Sequence, residues 1–227
     1  MDSNLLKGYY RHDVLRLLEE GSQLTGIELG VAGGTFSKRM LDSGRFKHFF
    51  GVDMYADHHD VSEYKRALRL TDLFSPYRLL RMTFDDAFDL FDDLSFDFMY
   101  VDGYAHTGEE GGDTIYKWYS KLKIGGVIAG DDYHADWPLV VNAVNTFAEL
   151  TSSELYVTEL VEDIAMCKYP SWAIIKTDHQ KYSPQASMVA AGKKEAEKMR
   201  RRWAKKRFIR EYVKPTLRDI FKRPMAG

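Results

Sequence analysis

Five carboxylates stand out by where they fall in the chain. Asp53 closes the run FFGVD, Asp102 closes FDFMYVD, the pair Asp131 and Asp132 follows GGVIAG, and Glu28 lies inside GIEL. Acids ending buried apolar runs are costly unless something cationic or rich in donors meets them. Asp102, Asp131 and Asp132 together make a hard, oxygen-rich set of the kind that holds Mg²⁺, with Ca²⁺ or Mn²⁺ as competitors. A solvated turn is the plain alternative for the paired Asp. Two histidines are candidates for proton transfer: His106, in the loop VDGYAHTGEEGGD, and His134, just after the Asp pair.

The segment ELGVAGGTFS, residues 28–37, reads as strand, glycine turn and helix start. Its backbone N–H groups, with the hydroxyls of Thr35 and Ser37, form a cradle for an anionic or donor-seeking ligand. It is neither the spaced G-x-G-x-x-G of dinucleotide folds nor a P-loop, since it lacks the lysine. Asp53 follows Glu28 by 25 residues, a spacing that fits one βαβ unit. An acid at that place can accept hydrogen bonds from both hydroxyls of a ribose. A tight turn for the glycines and a cap for Asp53 remain the purely structural readings.

The elements that must position these residues alternate. Strands are predicted at 26–29, 49–52, 77–81, 96–101, 125–129, 155–166 and 172–176. Helices are predicted at 35–41, 62–73, 87–91, 115–122 and 139–150, with a basic helix from about 192 to 213. Such alternation predicts an α/β fold with a mostly parallel sheet covered on both faces. Right-handed crossovers then gather the strand ends, and so the acids, along one edge.

In this order, ELGVAGGTFS, GVD, FDFMYVDGYAH and W-x-x-L-x-x-GGVIAGDDY resemble a class I S-adenosylmethionine (SAM)-dependent methyltransferase. The nearer resemblance is to the metal-dependent macrocin and aminocoumarin sugar O-methyltransferases, with cephalosporin-hydroxylase-like relatives. The resemblance covers roughly residues 24–149. It implies a Rossmann-like sheet of seven strands, the last antiparallel. It also implies that Glu28, Gly30, Thr35 and Ser37 hold the amino-acid end of SAM, and that Asp53 takes the ribose. Thr83 and Phe84 would lie near the adenine, and Asp102, Asp131 and Asp132 would bind the metal. The family's D-G-x-H is one residue longer here, Asp102-Gly103-Tyr104-Ala105-His106.

Methyl transfer to oxygen is an in-line displacement at a sulfonium carbon, so the protein's part is to align and deprotonate the acceptor. A metal-bound hydroxyl loses its proton more readily. His106 is the first candidate base, His134 the second, and Asp102 a third. The expected acceptor is a sugar-like or polyhydroxy small molecule or glycan, chosen by loops such as 55–63 and 133–138. The competing reading is a non-catalytic SAM- or nucleotide-binding module recruited by its tail. A nicotinamide oxidoreductase is disfavoured by the missing G-x-G-x-x-G.

Charge divides the chain. The totals, 32 Lys+Arg and 34 Asp+Glu, nearly cancel, but residues 181–227 hold 15 basic and 4 acidic residues and the first 180 hold 17 and 30. The sequence therefore reads as a methyltransferase domain, 1–180, and a basic helical extension, 181–227. A basic helix bearing Met199, Trp203 and Phe208 fits an anionic membrane surface, packing on the body, or a second copy of the chain. No nucleic-acid module accompanies it. The single cysteine, Cys167, forbids an internal disulfide and the first residues lack a signal-like apolar run, so the expected location is cytoplasmic, with peripheral contact at the inner membrane surface.

Overall fold

The computed structural model describes residues 3–21, 23–56, 59–72, 76–162 and 168–208. Its strands are β1 (Asn4–Leu6), β2 (Leu24–Leu29), β3 (Phe46–Val52), β4 (Tyr77–Leu80), β5 (Phe96–Val101), β6 (Leu122–Gly130), β7 (Leu155–Thr158) and β8 (Trp172–Ile175). They form one sheet in the order β1-β7-β8-β6-β5-β2-β3-β4. Only β8 runs against its neighbours, pairing antiparallel with β6 and β7. The expectation of seven strands is corrected to eight among the described residues. The added strand, β1, has three residues and pairs parallel with β7, Leu5 opposite Val157. The strand expected over 155–166 stops at Thr158, and residues 163–167, with Cys167, lie outside the described residues.

Seven helices accompany the sheet among the described residues: α1 (Thr35–Asp42), α2 (Val61–Thr71), α3 (Phe84–Phe88), α4 (Gly108–Gly111), α5 (Asp113–Tyr119), α6 (Pro138–Leu150) and α7 (Ala186–Phe208). Short 3-10 turns lie at Arg11–Leu17 and Ala105–Thr107. The helix expected over 115–122 ends at Tyr119, because β6 begins at Leu122 rather than 125. α7 starts six residues before the expected 192, and its expected end at 213 lies outside the described residues.

Strand β5 shows why the sheet is central. Side chains alternate along a strand, so Phe98 and Tyr100 face one layer while Met99 and Val101 face the other. The first layer joins Phe36 and Met40 of α1 with Val14 and Leu15. The second joins Trp118 and Tyr119 of α5 with Val144 and Phe147 of α6. All four β5 side chains are almost wholly buried. Truncating one to Ala removes packing worth about 2–5 kcal/mol.

Helix α7 docks on this body. Met188 is buried, and Gly192 lies so close to the turn at Gly111 that a Cβ on Gly192 would stand 2.6 Å from the Gly111 nitrogen and 2.9 Å from the Thr107 oxygen. A side chain there would force the two backbones apart.

Candidate functional site

The chain runs β2, β3, β4 in one direction across the sheet and then returns to place β5 on the other side of β2. The crevice at that reversal is where open α/β sheets bind ligands. Its two walls meet at Gly30 and Asp102. The Asp102 nitrogen donates to the Leu29 oxygen at 2.8 Å, and Gly30 has φ +97°. A Cβ on Gly30 would lie 1.9 Å from the Asp102 carbonyl oxygen, so only glycine closes this turn.

A cavity of about 480 Å³ opens from the crevice. One half is lined by Glu28, Gly30, the loop 31–33, Thr35, Asp53, His59 and Arg66. Asp53 organises it. One carboxylate oxygen accepts from Val31 and Ala32 nitrogens at 3.0 and 2.9 Å, and the other accepts from the Tyr55 nitrogen at 3.0 Å. The oxygen that meets Tyr55 keeps a further lone-pair direction for a ligand hydroxyl. Glu28 is buried, and burial pushes its carboxyl up to about 8. It accepts a hydrogen bond from Ser37, whose hydroxyl also meets Tyr77 at 2.8 Å. Ser37 is fully buried and does not line the cavity, so it supports Glu28 instead of reaching a ligand itself.

Phe84 lines the cavity too, and the other half is formed by Arg11, Asp102, the loop 103–106, Asp132, Trp137, Lys168, Tyr169 and Met199. His106 packs its ring on Trp137, centroids 4.5 Å apart, and Tyr169 meets Trp137 edge-on at 6.1 Å. The Trp137 indole nitrogen is buried and makes no close hydrogen bond, though its N–H lies near enough to Asp132 to favour that carboxyl's charged form. Asp132 sits at φ 61° and burial pushes its carboxyl up to about 8, with Asp131 and Asp102 adding to the rise. A carboxyl so shifted keeps its proton at neutral pH and can donate to an oxygen in the cavity.

Asp131, like Ser37, is buried behind the lining, and two further expected site residues lie elsewhere. Thr83 is exposed and caps α3, its hydroxyl accepting from the Asp86 nitrogen at 3.1 Å, while its neighbour Phe84 does reach the cavity. Cap chemistry explains this Thr without a ligand. His134 is exposed outside the cavity, where its Nδ1 accepts from the Asp136 nitrogen at 3.2 Å and its ring stacks on the outer side of Tyr169.

The metal expectation also meets an obstacle. Arg11 Nη1 donates to Asp131 at 2.8 Å and Arg11 Nη2 donates to Asp102 at 3.1 Å. The acids expected to share a divalent ion thus already share a guanidinium. No group of three or more His, Cys, Asp or Glu among the described residues is arranged to hold a metal ion. The acid set does not fit Mg²⁺ as it stands.

Sequence reasoning also missed Arg11 itself, Trp137, Tyr169 and Glu109. Glu109 is buried in a left-handed turn (φ 52°, ψ 52°) behind the loop, accepts from the Tyr104 nitrogen at 3.2 Å, and is pushed up to about 8 by burial. The run GEEGG was its signal: dense glycine marks backbone that other residues avoid.

A family model described as a methyltransferase domain matches residues 26–133. No curated protein matches the chain. Among solved structures, the fold is similar to a SAM-dependent O-methyltransferase from Thermotoga maritima (14% identity, TM-score 0.53, covering 74% of this chain and 65% of that one). It is similar also to precorrin-6y C5,15-methyltransferase from Geobacter metallireducens (17% identity, TM-score 0.54, covering 74% and 87%). Residues 26–133 thus match a methyltransferase domain model, and the strand order, the glycine loop and the acid following β3 all fall within that stretch.

Proposed function

We propose that the protein transfers the methyl group of SAM to a hydroxyl of a ring-shaped acceptor, of sugar-like or polyhydroxy type. The observation that carries this reading is the two-part cavity. A donor half built on Glu28, the glycine loop and Asp53 opens into an acceptor half walled by His106, Trp137 and Tyr169. Aromatic faces suit the apolar faces of a sugar ring, and the neighbouring Trp137 indole N–H and Asp132 carboxyl offer polar contacts to its hydroxyls.

In this reading the amino-acid end of SAM lies against the loop 30–35 and Asp53 takes the ribose. Phe84 stands at the adenine. His106 takes the proton from the acceptor hydroxyl as the methyl carbon moves in line from sulfur to oxygen. Alignment in the cavity supplies most of the rate, up to roughly 7–11 kcal/mol, and the base about 10²–10⁴-fold. No step needs a divalent ion. Incubation with methyl-labelled SAM and a panel of polyhydroxy acceptors tests the proposal, the product being read by mass and by the methyl carbon's NMR shift. An O-methyl ether supports it; carbon or nitrogen methylation overturns it.

The extension 181–227 is proposed to bring the domain to an anionic membrane surface. Lys193, Lys194, Lys198, Arg200, Arg201, Arg202 and Lys205 are exposed along α7, and no helix among the described residues is long and apolar enough to cross a bilayer.

A further inference from the structure

The acid cluster at the strand ends has its cation within the chain. Arg11 is almost fully buried (9% exposed) and its planar fork spans two carboxylates from different strands, Asp131 at 2.8 Å and Asp102 at 3.1 Å. The guanidinium lies over two rings, 4.9 Å from the centroid of Phe36 and 5.3 Å from that of Tyr100. The second oxygen of Asp131 accepts from the Ser171 hydroxyl at 3.1 Å, and that hydroxyl meets the Tyr100 hydroxyl at 2.8 Å. Asp131 is thereby bonded through both oxygens. Arg11 also lines the cavity, so the cation faces the space where the acceptor would stand.

We propose that Arg11 is the resident cation of this site, standing where a divalent metal would otherwise be held, and that it positions Asp102 and Asp131 so that methyl transfer runs without a metal. Guanidinium suits this role. It stays charged at any working pH, is weakly hydrated, and matches carboxylates geometrically while stacking on aromatic faces. A divalent ion entering the same acids would have to expel a buried charge from two hydrogen bonds and two rings, and would leave that charge unpaired. The role of Arg11 in transfer rests on the reading of the cavity as a methyl-transfer site; its occupancy of the cation position does not.

The test uses Mn²⁺ as the probe, with binding read by calorimetry and by electron paramagnetic resonance, independently of turnover. Wild type is expected to show no Mn²⁺ binding that depends on Asp131 and no loss of turnover in chelator. Arg11→Met keeps the length of the stem and removes the donors. It is expected to bind Mn²⁺, to lose that binding again when Asp131→Asn is added, and to fall about tenfold or more in kcat with SAM affinity little changed. Arg11→Lys is expected to restore part of the rate and to abolish Mn²⁺ binding. Wild-type Mn²⁺ binding that Asp131→Asn removes would overturn the proposal, as would a folded Arg11→Met that binds none. Should Arg11→Met fail to fold, wild type and Arg11→Lys still decide it: chelator-sensitive turnover, or Mn²⁺ binding by either, goes against it. Failure of wild type to bind SAM would instead overturn the methyltransferase reading and leave the cation result standing.

Discussion

Gly192 of α7 and Gly111 of the left-handed turn α4 meet backbone to backbone, and neither position has room for a Cβ: one on Gly111 would lie 2.4 Å from the Met188 oxygen. Seven residues beyond Gly192 on the same helix, Met199 forms part of the cavity wall. The glycine contact therefore sets where that wall stands. Gly192→Val is expected to lower stability by about 1–3 kcal/mol through overpacking and to weaken acceptor binding, measured by urea unfolding and by KM. Intrinsic helix propensity runs the other way, since glycine is the poorer helix former. A gain in stability would show that α7 docks some other way.

Glu109 links pH to stability. Burial raises its carboxyl from 4.5 to about 8. Below pH 4.5 folded and unfolded chains both hold the proton; between 4.5 and 8 only the folded chain does, so the folded state must release the proton at a cost or keep it against the solution. Stability from this group is thus fully present below about 4.5 and lost as pH rises through 8, on the order of a few kcal/mol in all. Glu109→Gln retains the acceptor for the Tyr104 nitrogen and removes the titration. Compared with wild type, the variant should gain stability at pH 9 relative to pH 5, as read by denaturant unfolding. Parallel pH profiles for the two proteins would exclude this role.

Asp53 holds three backbone nitrogens and, in the proposed reading, the ribose as well. Asp53→Ala removes charged acceptors worth about 1.5–3 kcal/mol per bond to a ligand, so SAM binding measured by calorimetry is expected to weaken at least tenfold. Unchanged affinity would place the ribose elsewhere.

Trp137 and His106 separate acceptor binding from packing. The indole N–H makes no close hydrogen bond and touches Asp132 only weakly, so Trp137→Phe is expected to shift stability by under about 1 kcal/mol while raising the acceptor KM. His106→Gln is expected to lower kcat by about 10²–10⁴-fold with SAM affinity retained. Loss of SAM binding in either variant would argue against the division of the cavity into donor and acceptor halves.

The exposed basic side chains of α7 make a salt-dependent prediction. Vesicles containing anionic lipid should retain the protein at low ionic strength and release it as salt rises, with neutral vesicles retaining none. Equal binding to both would remove the electrostatic basis for membrane contact.

The strand-end acids were legible because central strands of a parallel sheet are apolar throughout, and FDFMYVD or GGVIAGDD shows the break at a glance. The glycine loop was legible for the same local reason. Arg11 was not: its partners lie 91 and 120 residues away, and nothing in GYYRHD announces a buried guanidinium. Strand β1 was too short to show a period, and its edge position is decided by β7 rather than by its own residues. Thr83 illustrates the opposite error, because a cap and a ligand contact ask for the same residue type at the same place after a strand. Asp102 and Asp131 were placed correctly on the strand ends, but the cation that meets them could be found only in three dimensions.

The pairing of β1 with β7 has a consequence for the order in which the molecule is assembled. The segment that delivers Arg11 is anchored at the sheet edge by partners far along the chain: the Gly8 nitrogen donates to Glu159 at 2.8 Å, 151 residues away. Long-range closures of this kind come late in folding. Until that closure the acids of the central strands have no guanidinium beside them. Completing the site and closing the sheet are then one event, and a chain that has not finished its far edge has no finished centre.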